Sequence, residues 1–308
     1  MRLLFSFLLL LVLPAFSQAA TAPIAIAPAE KKLRDADGNV FTLARPAQRI
    51  VSLAPSLTDM LVTLGARAQI VGASDDHDSR GAYQRSLSGF PVISDAASVN
   101  YERVLALRPD LVVAWGGGTP RPWIEQLRHM GLRVFVVEAR TLDEIAVQAE
   151  QLGQLSGHEK SAQAEAASIR ANIADLQKKY GSGPRLRYFH QVWLQPLYSL
   201  HAGHLLSQAL ALCGADNIVK AGPVAAPLIN PEFVLQQNPD IILFSEGGAD
   251  GSRAYWQRFP TLTAVRKQQL LAVNDRSLTR PGPAMLVAVA PVCARIATWR
   301  SGTAMESR

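Results

Sequence analysis

The chain has 308 residues and a net charge of +6, from 31 basic and 25 acidic side chains. That length exceeds one ordinary domain and leaves room for two lobes with separate cores. Lys and Arg occur in scattered pairs such as Lys31-Lys32, Lys178-Lys179 and Arg266-Lys267, without the basic stripe and aromatic platforms of a nucleic-acid binder, so no nucleic acid is expected as partner.

Residues 1–19 open with Met1-Arg2, continue in an apolar run from Leu3 to Phe16, and end in small residues at Ser17-Gln18-Ala19. This is the layout of a cleavable export signal. A retained anchor is the alternative, but the run falls short of the ~20 apolar residues that a spanning helix needs. Residues 20–31 are rich in Ala and Pro and are expected to be flexible. In "KKLRDADGNVFTL", Asp37-Gly38 lies between two alternating stretches and predicts a hairpin. A buried strand follows at Gln48 to Leu53, then a helix opened by Pro55 and Ser56 and closed by Gly65, with Leu57, Met60, Leu61 and Leu64 on one face.

Strands are predicted at Ile70 to Ser74, Leu111 to Trp115 and Val134 to Val137. Helices are predicted near Tyr101 to Leu107, Pro120 to Met130 and Leu142 to Leu155. Such alternation specifies a parallel sheet covered by helices, an α/β lobe over residues 32–157. A stretch free of Gly and Pro, "EKSAQAEAASIRANIADLQKKY", then places Ala162, Ala166, Ile169, Ile173 and Leu176 on one helix face. It serves as a linker helix over 158–182, stopped by Gly181-Ser182-Gly183-Pro184. The second lobe, 183–301, repeats the alternation: a strand at Arg185 to Val192, a helix at Leu205 to Leu212, a strand near Leu270 to Val273 and a last helix from Pro283, with a tail at 302–308.

One phrase is written twice. "NYERVLALRPDLVVAWGGG" (Asn100 to Gly118) and "NPEFVLQQNPDIILFSEGG" (Asn230 to Gly248) share Glu102 and Glu232, Leu105 and Leu235, Pro109-Asp110 and Pro239-Asp240, all at the offset 232 − 102 = 130. A fainter echo links "MLVTLGA" (Met60 to Ala66) with "ALALCGA" (Ala209 to Ala215). The two cysteines, Cys213 and Cys293, suggest one disulfide in an exported protein, with two buried thiols as the alternative.

In this order, "RIVSLAPSLTDML", "VNYERVLALRPDLVVAWGGG", "PLYSLHAGHLLSQALALCGADNI", "NPEFVLQQNPDIIL" and "TRPGPAML" resemble the helical-backbone substrate-binding proteins of ABC importers, most of all the cobalamin binders. The resemblance implies a class III periplasmic binding protein: two α/β lobes, each with a parallel sheet flanked by helices, joined by a long rigid helix. It also implies a periplasmic monomer without cofactor, carrying a small-molecule ligand to an inner-membrane permease dimer with its ATPase subunits. Cys213 in "CGADN" and Cys293 in the last helix match the family's cysteines. Glu102 and Glu232 match its permease-docking glutamates, although a carboxylate in the first turn of a helix also favours the helix dipole without any partner. A twofold-related permease would present the same surface twice, which explains an acidic anchor repeated in each lobe.

Ligand is expected between the lobes, at loops after the strands' C-terminal ends. The candidates are Ser56, Asp76, His77 and Trp115 on the first lobe, and Trp193, Tyr198, His201 and Arg280 on the second. Aromatic rims and polar donors suit a corrin, which is large, flat and fringed with amides. The chain departs from the cobalamin pattern at Asp76-His77-Asp78-Ser79-Arg80, where the family has Tyr-Ser-Asp-Tyr-Pro, and near Ala226, where a tryptophan is expected. Haem held by Tyr198, His201 or His77 is therefore an alternative cargo, as is a ferric siderophore. No tight His/Asp/Glu cluster suggests zinc. A secreted hydrolase is the rival from another class, but G-x-S-x-G, phosphate-loop and H-E-x-x-H motifs are all missing, so no enzyme is expected.

Overall fold

The computed structural model describes residues 31–75, 89–95 and 97–302. The expected signal at 1–19, residues 20–30, Asp76, His77 and positions beyond 302 lie outside the described residues.

Strands β1 (Lys31–Arg34) and β2 (Val40–Leu43) form the expected antiparallel hairpin. In its turn the Asp35 carboxylate accepts from the Asn39 amide at 2.7 Å, and Gly38 takes φ +86°, open to glycine at no steric cost. Arg128 ties the turn down, reaching Asp35 at 3.0 Å and Asp37 at 2.9 Å. Phe41 packs edge-on against Phe135 at 5.0 Å.

The first lobe continues through β3 (Ile50–Ser52), α1 (Pro55–Thr63), β4 (Ile70–Ser74), β5 (Val92–Ser94), α2 (Tyr101–Ala106), β6 (Leu111–Trp115), α3 (Arg121–His129) and β7 (Val134–Val137). The sheet runs β5-β4-β3-β6-β7, with every pair parallel. Helices α4 (Leu142–Ser156) and α5 (Glu159–Tyr180) lead out of it. The second lobe contains β8 (Leu186–Trp193), β9 (Tyr198–Ser199), α6 (Leu205–Leu212), β10 (Ala215–Asn217), α7 (Pro231–Gln237), β11 (Ile241–Ser245), α8 (Ala249–Gln257), α9 (Thr263–Arg266), β12 (Leu270–Val273), α10 (Asp275–Thr279) and α11 (Pro283–Ser301). Its sheet runs β10-β8-β11-β12 in parallel, with β9 antiparallel on β8.

The orders β4-β3-β6-β7 and β10-β8-β11-β12 have the same topology, so the repeated phrase is a repeated structure. Its details recur at the same offset. Asn100 and Asn230 cap α2 and α7 through their side-chain oxygens. Arg108 and Asn238 both take φ 43°, a left-handed conformation that ends each helix. Asp110 accepts from the Arg49 amide at 2.9 Å, and Asp240 from the Arg187 amide at 2.9 Å, fixing the start of β3 and of β8. The same two arginines reach back to the helix C-termini, Arg49 to the Leu107 carbonyl at 2.6 Å and Arg187 to the Gln237 carbonyl at 2.8 Å. The repeated Pro-Asp is thus a junction that locks helix end to sheet.

Both lobes and the linker share one apolar core. Ile50 and Leu111 from the first sheet, Ala162, Ala166 and Ile169 from α5, and Leu210, Ile241, Met285 and Ile296 from the second lobe belong to one contiguous cluster. Helix α5 spans its 22 residues without interruption, about 33 Å at 1.5 Å per residue. It lies so close to α4 that a Cβ at Gly153 would stand 2.2 Å from that of Ala162. Two lobes that share a core through a continuous rod have little freedom to bend apart. Cys213, at the end of α6, is bonded to Cys293 in α11 with Cα atoms 5.3 Å apart, and both residues are fully buried.

Candidate functional site

The C-terminal ends of the two sheets meet. Gln208 of α6 donates through Nε2 to the Arg140 carbonyl, just past β7, at 2.6 Å, and to the Gly203 carbonyl at 3.0 Å. This side chain staples the loop after β7 to the loop that precedes α6. Sequence reasoning missed it, because nothing in a lone glutamine signals a partner 68 residues away.

On the first lobe, Trp115 ends β6 and its backbone amide donates to Thr119 Oγ1 at 3.0 Å, curling the next turn. The indole folds over that turn, and a Cβ at Gly118 would meet the ring at 2.1 Å. Glycine is required there for this reason. Trp115 packs partly against the core and keeps part of its surface open. Ser56 sits in the first turn of α1 and is only 7% exposed. Asp75 follows β4, its amide bonded to the Ser94 carbonyl.

On the second lobe, Trp193 and Tyr198 are brought together by the β8–β9 pairing, in which they are register partners. Trp193 is 63% exposed, with its indole N–H donating to the Gln195 carbonyl at 2.9 Å. Leu228, also 63% exposed, bridges to Tyr198 across its other edge. An apolar rim of Trp193, Tyr198 and Leu228 results. Arg280, half-buried, stands between α10 and α11. His201 Nδ1 accepts from the Gly203 amide at 2.9 Å, and His204 Nδ1 accepts from the Leu206 amide at 3.2 Å, capping α6. A neutral imidazole that accepts at Nδ1 carries its proton on Nε2, so His201 offers no lone pair to a haem iron while that bond holds. Burial, and then the neighbouring His190 and His201, hold the His204 imidazole down to about 4, so the cap is neutral.

Beside this rim opens a cavity of about 890 Å³ at the ends of β8, β11 and β12, lined by Trp193, Gln195, Ser245, Glu246, Ser252 and Asn274 among others. Its floor is a fixed polar chain: Trp256 Nε1 donates to Gln191 Oε1 at 2.6 Å, and Gln191 Nε2 donates to Ser252 Oγ at 2.7 Å. No group of three or more His, Cys, Asp or Glu that could hold a metal ion occurs among the described residues.

Glu102 and Glu232 lie exposed in the first turns of α2 and α7. They are not quite equivalent: Asn100 and Asn230 accept at their side-chain oxygens from the Arg103 amide at 2.8 Å and the Glu232 amide at 3.0 Å, but the Asn230 side-chain amide also donates to the Glu232 carboxylate at 3.0 Å.

Residues 50–273 match the family described as periplasmic binding protein. The chain belongs to that family. It is 34% identical over 250 residues to the vitamin B12-binding protein of Vibrio cholerae, covering 80% of this chain and 88% of that one. The corresponding protein of Pectobacterium atrosepticum is 33% identical over 259 residues, covering 81% and 88%. Among solved structures, the periplasmic vitamin B12-binding protein BtuF of Vibrio cholerae superposes with a TM-score of 0.73 at 33% identity, over 82% of this chain and 97% of that one. The periplasmic haem-binding protein HutB of Vibrio cholerae shares the fold with a TM-score of 0.69 at 21% identity, over 81% and 98%. The chain is therefore a periplasmic substrate-binding protein rather than an enzyme, and what it carries is cargo rather than cofactor. Membership implies a small-molecule ligand and an ABC permease with its ATPase as partners.

Proposed function

We propose that this protein captures a corrinoid, cobalamin itself, between its lobes and delivers it to an inner-membrane ABC permease. The observation that supports the reading is sequence identity: the relatives at 33 to 34% are vitamin B12-binding proteins, whereas the haem-binding neighbours at 18 to 22% share only the fold. The engaged His201 Nδ1 argues in the same direction, because it removes a haem ligand from this rim. In this reading Trp115 contacts the corrin from the first lobe, and Trp193, Tyr198 and Leu228 contact it from the second. Ser56, Asp76, His77, His201 and Arg280 complete the candidate contacts. Residues 1–19 are a cleaved signal and the mature protein acts as a monomer. Glu102 and Glu232 are the docking anchors, and exposed Leu105 adds an apolar contact beside the first.

The test separates binding from docking. Cyanocobalamin should quench the tryptophan emission of the purified protein stoichiometrically and without turnover. The Glu102→Ala/Glu232→Ala double variant should bind it with the same affinity yet fail to support permease-dependent uptake. Equal loss of affinity would move those glutamates into the pocket, and quenching by haemin but not by cyanocobalamin would overturn the cargo.

A further inference from the structure

The two copies of the repeated element differ where a ligand would meet them. At the offset of 130, Trp115 of β6 corresponds to Ser245 of β11, and Gly116 to Gly118 correspond to Glu246, Gly247 and Gly248. In the first lobe the partly open indole lies across its own glycines. In the second, Ser245 turns its hydroxyl onto the Gly247 amide at 3.3 Å, and the cavity of about 890 Å³ lies beyond it. An aromatic ring stands in one lobe where the other has a serine beside an open chamber.

The chamber has a defined polarity. Ser252, only 4% exposed, accepts from Gln191 at 2.7 Å, and Gln191 is itself fixed by the Trp256 indole at 2.6 Å. The Ser252 hydroxyl therefore keeps its own proton, for which no acceptor is found among the described residues. A buried hydroxyl proton without an acceptor is costly unless something enters to take it. At the exposed mouth stands Glu246, whose carboxylate only accepts. A donor at the floor suits a carbonyl oxygen and an acceptor at the mouth suits an N–H, a combination that favours an arm ending in a primary amide. A carboxylate satisfies the first contact and is repelled at the second.

We infer that this second-lobe chamber takes an uncharged primary-amide arm of the ligand, and that Glu246 rejects arms ending in carboxylate. The inference rests on the corrinoid reading above and sharpens it, since a corrin ring bears such amides where a porphyrin bears carboxylates. Titrations of cyanocobalamin and of its monocarboxylic acids, each with one arm hydrolysed, test it against wild type, Glu246→Gln and Ser252→Ala. At least one monocarboxylic acid should bind wild type ten-fold or more weakly than cyanocobalamin, and that deficit should shrink at least three-fold in Glu246→Gln. Ser252→Ala should weaken cyanocobalamin several-fold. Glu246 is exposed, so its variant folds and decides the matter. Equal binding of every monocarboxylic acid, or a deficit that survives Glu246→Gln, overturns the inference and leaves the corrinoid reading standing. Failure of cyanocobalamin itself to bind overturns both.

Discussion

Replacing Cys213 and Cys293 together by alanine should lower the unfolding free energy by at least 4 kcal/mol, on the order of the chain-entropy value for so long a loop. The bond closes a sequence separation of 80 residues between the end of α6 and the middle of α11. Restricting an unfolded loop of that size removes about 15 cal/mol/K of entropy, or roughly 4.5 kcal/mol at 25 °C. Both cysteines are fully buried in the core shared by the lobes, so truncation also leaves a small void that pushes the loss further the same way. For a protein whose total stability is about 5 to 15 kcal/mol, this is a large fraction. Guanidinium unfolding of oxidised wild type and of the double variant, followed by circular dichroism, reads the difference directly. A loss below about 1 kcal/mol with an unchanged denaturant slope would refute the reasoning, because the unfolded chain would then gain nothing from the release.

Three further outcomes are expected. Gly153→Ala should destabilise by about 1 to 2 kcal/mol, because the ~1 kcal/mol of helix propensity gained is outweighed by the cost of parting α4 and α5. The added methyl would start 2.2 Å from Ala162, and thermal melting gives the sign. Asp110→Ala and Asp240→Ala should each cost about 1.5 to 3 kcal/mol, the value of a hydrogen bond to a charged group, and by similar amounts, since the two carboxylates hold equivalent strand starts; denaturant midpoints compare them. Lowering the pH should weaken the fold through His204. Its imidazole titrates near 6.5 when unfolded and at about 4 when folded, so between those values the unfolded chain takes up a proton that the native state refuses. The contribution is whole above pH 6.5 and falls by about 3 kcal/mol as pH drops through 4. Unfolding curves at pH 7, 5.5 and 4.5 should diverge for wild type and run flatter for His204→Gln.

Much of the architecture was legible because its elements announce themselves locally. The linker helix occupies the predicted Glu159–Tyr180, and β4, β6, β7 and β12 begin and end where their apolar runs do. Continuous apolar runs bounded by turn residues are what strands buried on both faces produce. The elements that escaped are short or carry mixed signals. β9 has two residues and is defined only by its partner Trp193, and α8 follows two glycines and contains Gly251, so its start looks like loop.

The candidate aromatics could be picked out from the sequence, but the geometry around them could not. Trp115, Trp193 and Tyr198 stand out as rings at strand ends, but the Gln208 staple and the Gln191, Ser252 and Trp256 chain join residues more than 60 positions apart in sequence. His201 and His204 looked alike in sequence. Their loop gives His204 the helix cap and turns His201 back onto Gly203. The paired glutamates could be read because duplication repeats them. The Pro-Asp that travels with them is explained by a junction visible only once Arg49 and Arg187 are placed.

Isothermal titration of the purified apo protein with cyanocobalamin, cobinamide, haemin and a ferric siderophore tests the central claim most directly. Cyanocobalamin should give a single-site isotherm with one ligand per chain, and haemin and the siderophore should give no saturable heat. Saturable binding of haemin or the siderophore with none of either corrinoid would contradict the account.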